Sequence, residues 1–156
     1  MTLSPSDMVC FSLYSAANAM QQAYRPLLED LGLTYPQYLV LCTIWTARNP
    51  LTVKGIGQQV HLDSSTLTPL LKRLEASGLV IRTRDPEDER QVRITLTEAG
   101  HALRDRTAHI PACMLEKTGL DIDTLVQLQT QISALAARLR NPTDTAPAKP
   151  PRAANI

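Results

Sequence analysis

No run of about 18 consecutive apolar residues occurs in the 156 residues, so no segment is long enough to cross a bilayer as a helix. Aromatic side chains are scarce, with one Trp, one Phe and four Tyr, so Leu, Ile, Val and Ala have to fill the core. Charge of neither sign prevails. Sixteen basic residues face 15 acidic ones, for a net charge of +1, which excludes a bulk polyanion-binding tail or surface. Any contact with nucleic acid has to come from basic residues gathered on one face. Cysteine is limited to Cys10, Cys42 and Cys113. An odd count, behind an N-terminus with no basic stretch and no apolar run, argues against a secreted disulfide framework. The expected compartment is the reducing cytoplasm, where a thiol is either inert packing or reactive chemistry. His61, His101 and His109 share no ligand spacing with the cysteines, so neither metal nor cofactor is expected.

What is present is mostly helix. Apolar residues recur at helical spacing over 7–31, with Ser6 as N-cap, Asp7 in the first turn, and Pro26 placed to kink or interrupt the last turn. A second, nearly all-apolar helix starts after Thr34, with Pro36 in its first turn, and runs to about Arg48 before Asn49-Pro50. Thr52 caps a short helix over 53–60. The next helix, with Leu67, Leu70, Leu71 and Leu74 as its stripe, ends at Gly78. Thr68-Pro69 offers one start for it and Asp63 another; Asp63 is preferred, with Pro69 accommodated inside. Residues 79–84 and 91–96 alternate as two strands around a charged tip, 85–90. A long helix from Thr97 to about Thr118, bent at Pro111, and an amphipathic helix over 121–140 follow. The Pro-rich stretch 141–156 reads as a disordered tail. The length favours one domain with a short tail.

The order of the middle elements matters more than any one of them. Two helices, a brief turn, a third helix and a hairpin succeed one another. The third helix opens with the hydroxyls Ser64, Ser65, Thr66 and Thr68, small groups able to approach base edges and phosphates closely. Lys72 lies further along it, in a direction the sequence does not fix. The hairpin carries Arg82, Arg84, Arg90 and Arg93, and Arg90 stands beside the tip, where a long cation can enter a minor groove. Taken singly, a Ser/Thr run is as often a plain helix cap, and arginines on a hairpin are usually a solvated face.

The stretch Leu62-Asp63-Ser64-Ser65-Thr66-Leu67-Thr68-Pro69-Leu70-Leu71-Lys72-Arg73-Leu74-Glu75, then Gly78-Leu79-Val80, then Arg84-Asp85-Pro86-Glu87-Asp88-Glu89-Arg90, resembles the MarR family of winged-helix regulators over residues 7–140. The resemblance implies a mainly α fold with a small β-hairpin. Residues 35–96 form a winged helix-turn-helix, and 1–34 together with 97–140 form a helical dimerisation region. It further implies a homodimer on double-stranded operator DNA, with a recognition helix at about 63–77 in the major groove. Arg90 reads the minor groove from the wing, with Asp88 as its salt-bridge partner. The broad apolar stripes of the first and last helices support a partner surface independently.

Spacing alone leaves Cys10 open between a packing residue and a reactive thiol, whose acidity a helix N-terminus raises. The combination of Cys10, Tyr24 and Tyr35-Pro36-Gln37-Tyr38 is similar to the organic-hydroperoxide-sensing, OhrR-like branch of the family. That resemblance implies that Cys10 is the peroxidatic thiol and that Tyr24 and Tyr35 of the other subunit donate hydrogen bonds to it. It also implies that Cys113 is a resolving cysteine; a helix cysteine with no redox task is the other reading. Tyr14, Tyr38 and Cys42 read as packing. The expected function is a redox-sensing repressor, not an enzyme, that releases DNA when organic hydroperoxide oxidises Cys10. The alternatives are a MarR-type repressor released by a small aromatic ligand and, from another class, a thiol peroxidase. Against the peroxidase stand the absence of Cys-x-x-Cys and the complete winged helix.

Overall fold

A computed structural model of the chain describes residues 4–141. The proline-rich stretch expected as a tail therefore lies, from 142 onward, outside the described residues. In chain order the elements are α1 (Val9–Glu29), α2 (Tyr35–Thr46), β1 (Leu51–Thr52), α3 (Val53–Val60), α4 (Ser64–Ala76), β2 (Val80–Arg84), β3 (Val92–Leu96), α5 (Glu98–Thr107), α6 (Ile110–Thr118) and α7 (Ile122–Arg140). The chain divides into two compact units between Met114 and Leu115, inside α6.

In the first unit α2 is the central element. Tyr38, Val40, Leu41 and Ile44 are buried, and apolar side chains from α1, α3, α4, β3 and α5 join them in one core. Leu67, Leu71 and Leu74 of α4 are fully buried in that core, so truncating any of them to Ala costs about 2–5 kcal/mol. The stripe that buries them fixes which face of α4 looks outward. The sheet has strand order β1-β3-β2, all antiparallel, with Val80 opposite Leu96, Arg82 opposite Ile94 and Arg84 opposite Val92. β1, which pairs Leu51 with Ile94, was not expected from the sequence.

Helix boundaries follow their caps. Thr34, Thr52, Asp63, Thr97 and Asp121 all stand at N-caps, and the side chains of the last four each accept a backbone N–H from the first turn. Gly78 has φ +72°, the left-handed turn that ends α4 without a Cβ clash.

Two boundaries differ from expectation. Ser6 does not cap α1. Its hydroxyl pairs with that of Ser4 at 2.8 Å, a 3₁₀ turn occupies Pro5–Asp7, and α1 begins after Met8 with no side-chain cap. The expected bent helix over 97–118 is two helices, broken at Ala108-His109. Pro111 has no N–H to bond the Thr107 carbonyl, so it sits in the first turn of a new helix, where no N–H is needed. Pro26, by contrast, lies inside α1, which continues to Glu29.

In the second unit α7 is amphipathic but has no buried residue. Ile122, Val126, Leu128, Ile132, Leu135 and Leu139 are all exposed.

Candidate DNA interface and thiol site

α3 and α4 meet through the short turn 61–63, and Asp63 holds the amino end of α4. Its Oδ1 accepts the Thr66 N–H at 2.8 Å and the Ser65 hydroxyl at 2.6 Å. The Ser65 hydroxyl first, and then the Thr66 amide, keep the Asp63 carboxyl below its ordinary range. The first turn of α4 therefore presents Ser64, Ser65 and Thr66 on an exposed surface, with Thr68 half-buried beside them. Lys72 is exposed a little further along.

Between this helix and the hairpin lies a groove of about 1050 Å³. Ser64 and Thr68 line it from α4, Arg82 and Arg90 from the wing, and Lys54 and Gln58 from α3. Three of the expected DNA-contact residues, Ser64, Thr68 and Arg90, thus share one concave surface. Lys54 and Gln58 were missed, and Arg82 was named only as one of four hairpin arginines. The first two are four residues apart on the exposed face of a short helix, a spacing visible in the sequence.

The wing is fastened at two points. At its tip Arg93 Nε donates to Asp85 Oδ2 at 2.6 Å, with the carboxylate almost wholly buried. Asp85 Oδ1 also accepts the Glu87 N–H at 2.9 Å. The Arg93 guanidinium first, then that amide, hold the Asp85 carboxyl below the usual range. At its base Glu75 of α4 accepts both the backbone N–H of Arg82, at 3.3 Å, and its guanidinium, at 3.4 Å.

The expected Asp88–Arg90 salt bridge is not formed. Asp88 accepts the backbone N–H of Arg90 at 3.1 Å and the Gln91 side-chain amide at 3.0 Å, shaping the turn. The ion pairs among the described residues are Arg82–Glu75 and Arg93–Asp85, so the Arg90 guanidinium is left exposed. The physical reason is register. Arg93 faces Thr83 across the strands, which brings it under Asp85, while both Asp88 oxygens are taken within the tip.

Cys10 is the second residue of α1 and is exposed, beside the exposed Val9, Phe11 and Tyr14. Tyr24 lies fourteen residues on, about 21 Å along the same helix at 1.5 Å per residue. There Tyr24 meets Tyr35 with ring centroids 4.8 Å apart, and Tyr38 at 6.0 Å. The sequence-predicted tyrosine pair is thus brought together, but away from Cys10 of the same chain. Burial first of all raises the phenol pKa of both Tyr24 and Tyr35, so both stay protonated and able to donate. Cys42 packs half-buried against the core beside these rings, and burial pushes its thiol up. Cys113 is half-buried on α6. Among the described residues no group of three or more His, Cys, Asp or Glu is placed to hold a metal ion.

The family "Transcriptional regulator SarA/Rot" matches residues 22–107. The organic hydroperoxide resistance transcriptional regulator of Bacillus subtilis is 44% identical over 133 residues, covering 85% of this chain and 90% of that one. Reduced AbfR bound to DNA superposes with TM-score 0.73 at 36% identity, over 86% of this chain and 94% of that one; AbfR comes from Staphylococcus epidermidis. AbfR is also solved overoxidized and bound to DNA (TM-score 0.69, 37% identity, 85% and 93% covered) and disulfide-formed (0.57, 37%, 84% and 91%). A MarR-family regulator from Rhodococcus sp. RHA1 gives TM-score 0.77 at 28% identity, over 86% of this chain and 96% of that one. The chain belongs to the MarR and SarA/Rot winged helix-turn-helix transcriptional regulators, in their organic-hydroperoxide branch, and is a DNA-binding protein rather than an enzyme.

Proposed function

We propose that the chain is a homodimeric repressor that holds double-stranded operator DNA while Cys10 is reduced and releases it when an organic hydroperoxide oxidises that thiol. The observation that carries this reading is the distance between Cys10 and the tyrosine pair. Two phenol donors that stay protonated stand together, rings tilted 43° to each other, where Tyr24 lies about 21 Å along α1 from the exposed thiol. One protomer cannot close that gap, whereas two α1 helices lying antiparallel across a dimer axis can set Cys10 of one against Tyr24 and Tyr35 of the other.

The apolar surface supports a dimer. Val9, Phe11 and Tyr14 of α1 are 46–66% exposed, and no residue of α7 is buried. Stripes of that kind are covered by a partner. Residues 1–34 and 97–140 then form the dimerisation region and 35–96 the DNA-binding region. Ser64, Ser65, Thr66, Thr68 and Lys72 approach the major groove, and Arg90 the minor groove, with Asp88 shaping the turn that presents it. Such a regulator works beside the chromosome, in the cytoplasm.

The chemistry balances with the oxidant as co-reactant. The Cys10 thiolate attacks the distal peroxide oxygen, the O–O bond breaks, and with one proton the products are the sulfenic acid and an alcohol. The thiol of Cys113 of the partner subunit then displaces water from that sulfenic acid, forming an intersubunit disulfide. An overoxidized AbfR bound to DNA and a separate disulfide-formed AbfR fit a releasing state that is the disulfide.

The test is gel migration without reductant after stoichiometric hydroperoxide, run beside operator binding. Wild type should give a band of twice the chain mass and lose its operator. Cys113→Ser should give no such band while Cys10 is still oxidised. A wild type that stays single and keeps its operator refutes the reading.

A further inference from the structure

We propose that Trp45 is the positioning residue that carries the state of the tyrosine cluster to the recognition helix, an inference that rests on the redox reading above. Trp45 is the next-to-last residue of α2, the helix that carries Tyr35, Tyr38 and Cys42. Its ring meets Tyr38 edge-on with centroids 6.3 Å apart, and Tyr38 in turn meets Tyr24. The other edge of the indole points out of the cluster. Its Nε1–H donates to the Gly100 carbonyl in α5 at 2.9 Å, across 55 residues of sequence.

Gly100 sits at a joint. Its N–H donates to the hydroxyl oxygen of Thr97 at 2.9 Å. That hydroxyl donates to the Gly78 carbonyl at 2.6 Å, and the Thr97 N–H donates to the Leu79 carbonyl at 3.1 Å. Gly78 and Leu79 are the residues through which α4 passes into β2, and the Leu79 N–H closes α4 by donating to Leu74. A Cβ on Gly100 would collide with the Leu79 carbonyl, so the backbones of α5 and the α4–β2 turn lie in direct contact. Every step from the tyrosines to the end of the recognition helix is therefore a named contact. The step out of the sensor helix is a directional hydrogen bond. Apolar packing tolerates a small slide; a 2.9 Å hydrogen bond to a carbonyl 55 residues away does not without breaking. When oxidation displaces the tyrosines, α2 can shift the α4–β2 turn through this bond.

The experiment compares full-length wild type with Trp45→Phe, which keeps an aromatic ring against Tyr38 and removes only the donor. Operator affinity is measured reduced and after stoichiometric organic hydroperoxide, together with the rate of Cys10 oxidation and the thermal midpoint. The proposal expects reduced affinity within about threefold of wild type and an unchanged oxidation rate. The loss of affinity on oxidation should shrink about fivefold, since one hydrogen bond contributes about 1 kcal/mol. A merely structural Trp45 would instead lower the thermal midpoint and both affinities in parallel, leaving their ratio at the wild-type value, and that result overturns the proposal. Trp45 is also the only tryptophan in the chain, so its emission gives a second arm that needs no variant at this position. Emission should shift on oxidation of wild type and stay fixed in Cys10→Ser; no shift in wild type that has released its operator overturns the proposal even if Trp45→Phe does not fold. A wild type that keeps its operator after oxidation refutes the redox reading itself, and this inference with it.

Discussion

Arg90→Ala should separate DNA binding from folding. The Arg90 side chain is exposed and has no ion-pair partner among the described residues. Its backbone N–H bond to Asp88 survives in alanine. Nothing that holds the wing is removed, because the wing depends on Arg93–Asp85 and Arg82–Glu75. Stability should therefore stay within about 0.5 kcal/mol of wild type. On DNA, one well-placed arginine contributes about 1–3 kcal/mol. A dimer places two wings, so the loss is about 2–6 kcal/mol, or roughly 30-fold to 10⁴-fold in affinity. The assay is operator titration at fixed salt, repeated over a salt series, beside thermal unfolding. Affinity should fall with the thermal midpoint unchanged, and the salt dependence should flatten if Arg90 also neutralises phosphate. Unchanged affinity, or a loss matched by a lower midpoint, would refute the assignment of Arg90 to the DNA-facing surface.

Thr68→Leu puts a branched apolar group where a hydroxyl lines the groove, so operator binding, with two recognition helices in a dimer, should fall roughly 30-fold to 10⁴-fold while binding to random DNA changes little; equal losses on both would reduce Thr68 to a backbone contact. Tyr24→Phe and Tyr35→Phe remove one phenol donor each while keeping the ring contact, and each should slow Cys10 oxidation by hydroperoxide in stopped-flow measurements without changing reduced operator affinity; wild-type rates in both would exclude the tyrosines from the sensing step. The Asp85 carboxyl is held below its usual range by Arg93, so its contribution to stability is complete above the unfolded value near pH 4 and lost as pH falls through the lower folded value. The gap in thermal midpoint between wild type and Asp85→Asn should thus be constant from about pH 5 to 8 and narrow below about pH 4; a gap that closes between pH 6 and 8 would contradict this.

Most of the fold was legible because its signals are local. Asp63 and Gly78 bracket the recognition helix with a cap and a left-handed turn, and Thr52 and Thr97 announce the helices they cap. What escaped depends on partners far away in sequence. β1 is two residues between Pro50 and α3, the second of them the cap of α3, and only Arg93 and Ile94 across the sheet make it a strand. Which Asp pairs with which Arg in the wing is decided by the offset of β2 on β3, which gives Arg93 to Asp85 and leaves the Arg90 guanidinium without an ion pair among the described residues. The role of Pro111 as the start of a helix rather than a bend depended on whether the chain could afford a break at Ala108-His109. Cys42 looked like one apolar residue among many. Its neighbourhood of Tyr24, Tyr35 and Tyr38 exists only once α1 packs on α2.

The central claim, that one sulfur controls DNA binding, is tested most directly by operator affinity of wild type and Cys10→Ser, each before and after stoichiometric organic hydroperoxide and again after a thiol reductant. Reduced, the two proteins should bind alike. After hydroperoxide wild type should lose its operator and regain it with reductant, whereas Cys10→Ser should stay bound throughout. Release of DNA by Cys10→Ser on the same treatment, or retention by wild type with Cys10 oxidised, would contradict the account and turn attention to release by a small aromatic ligand.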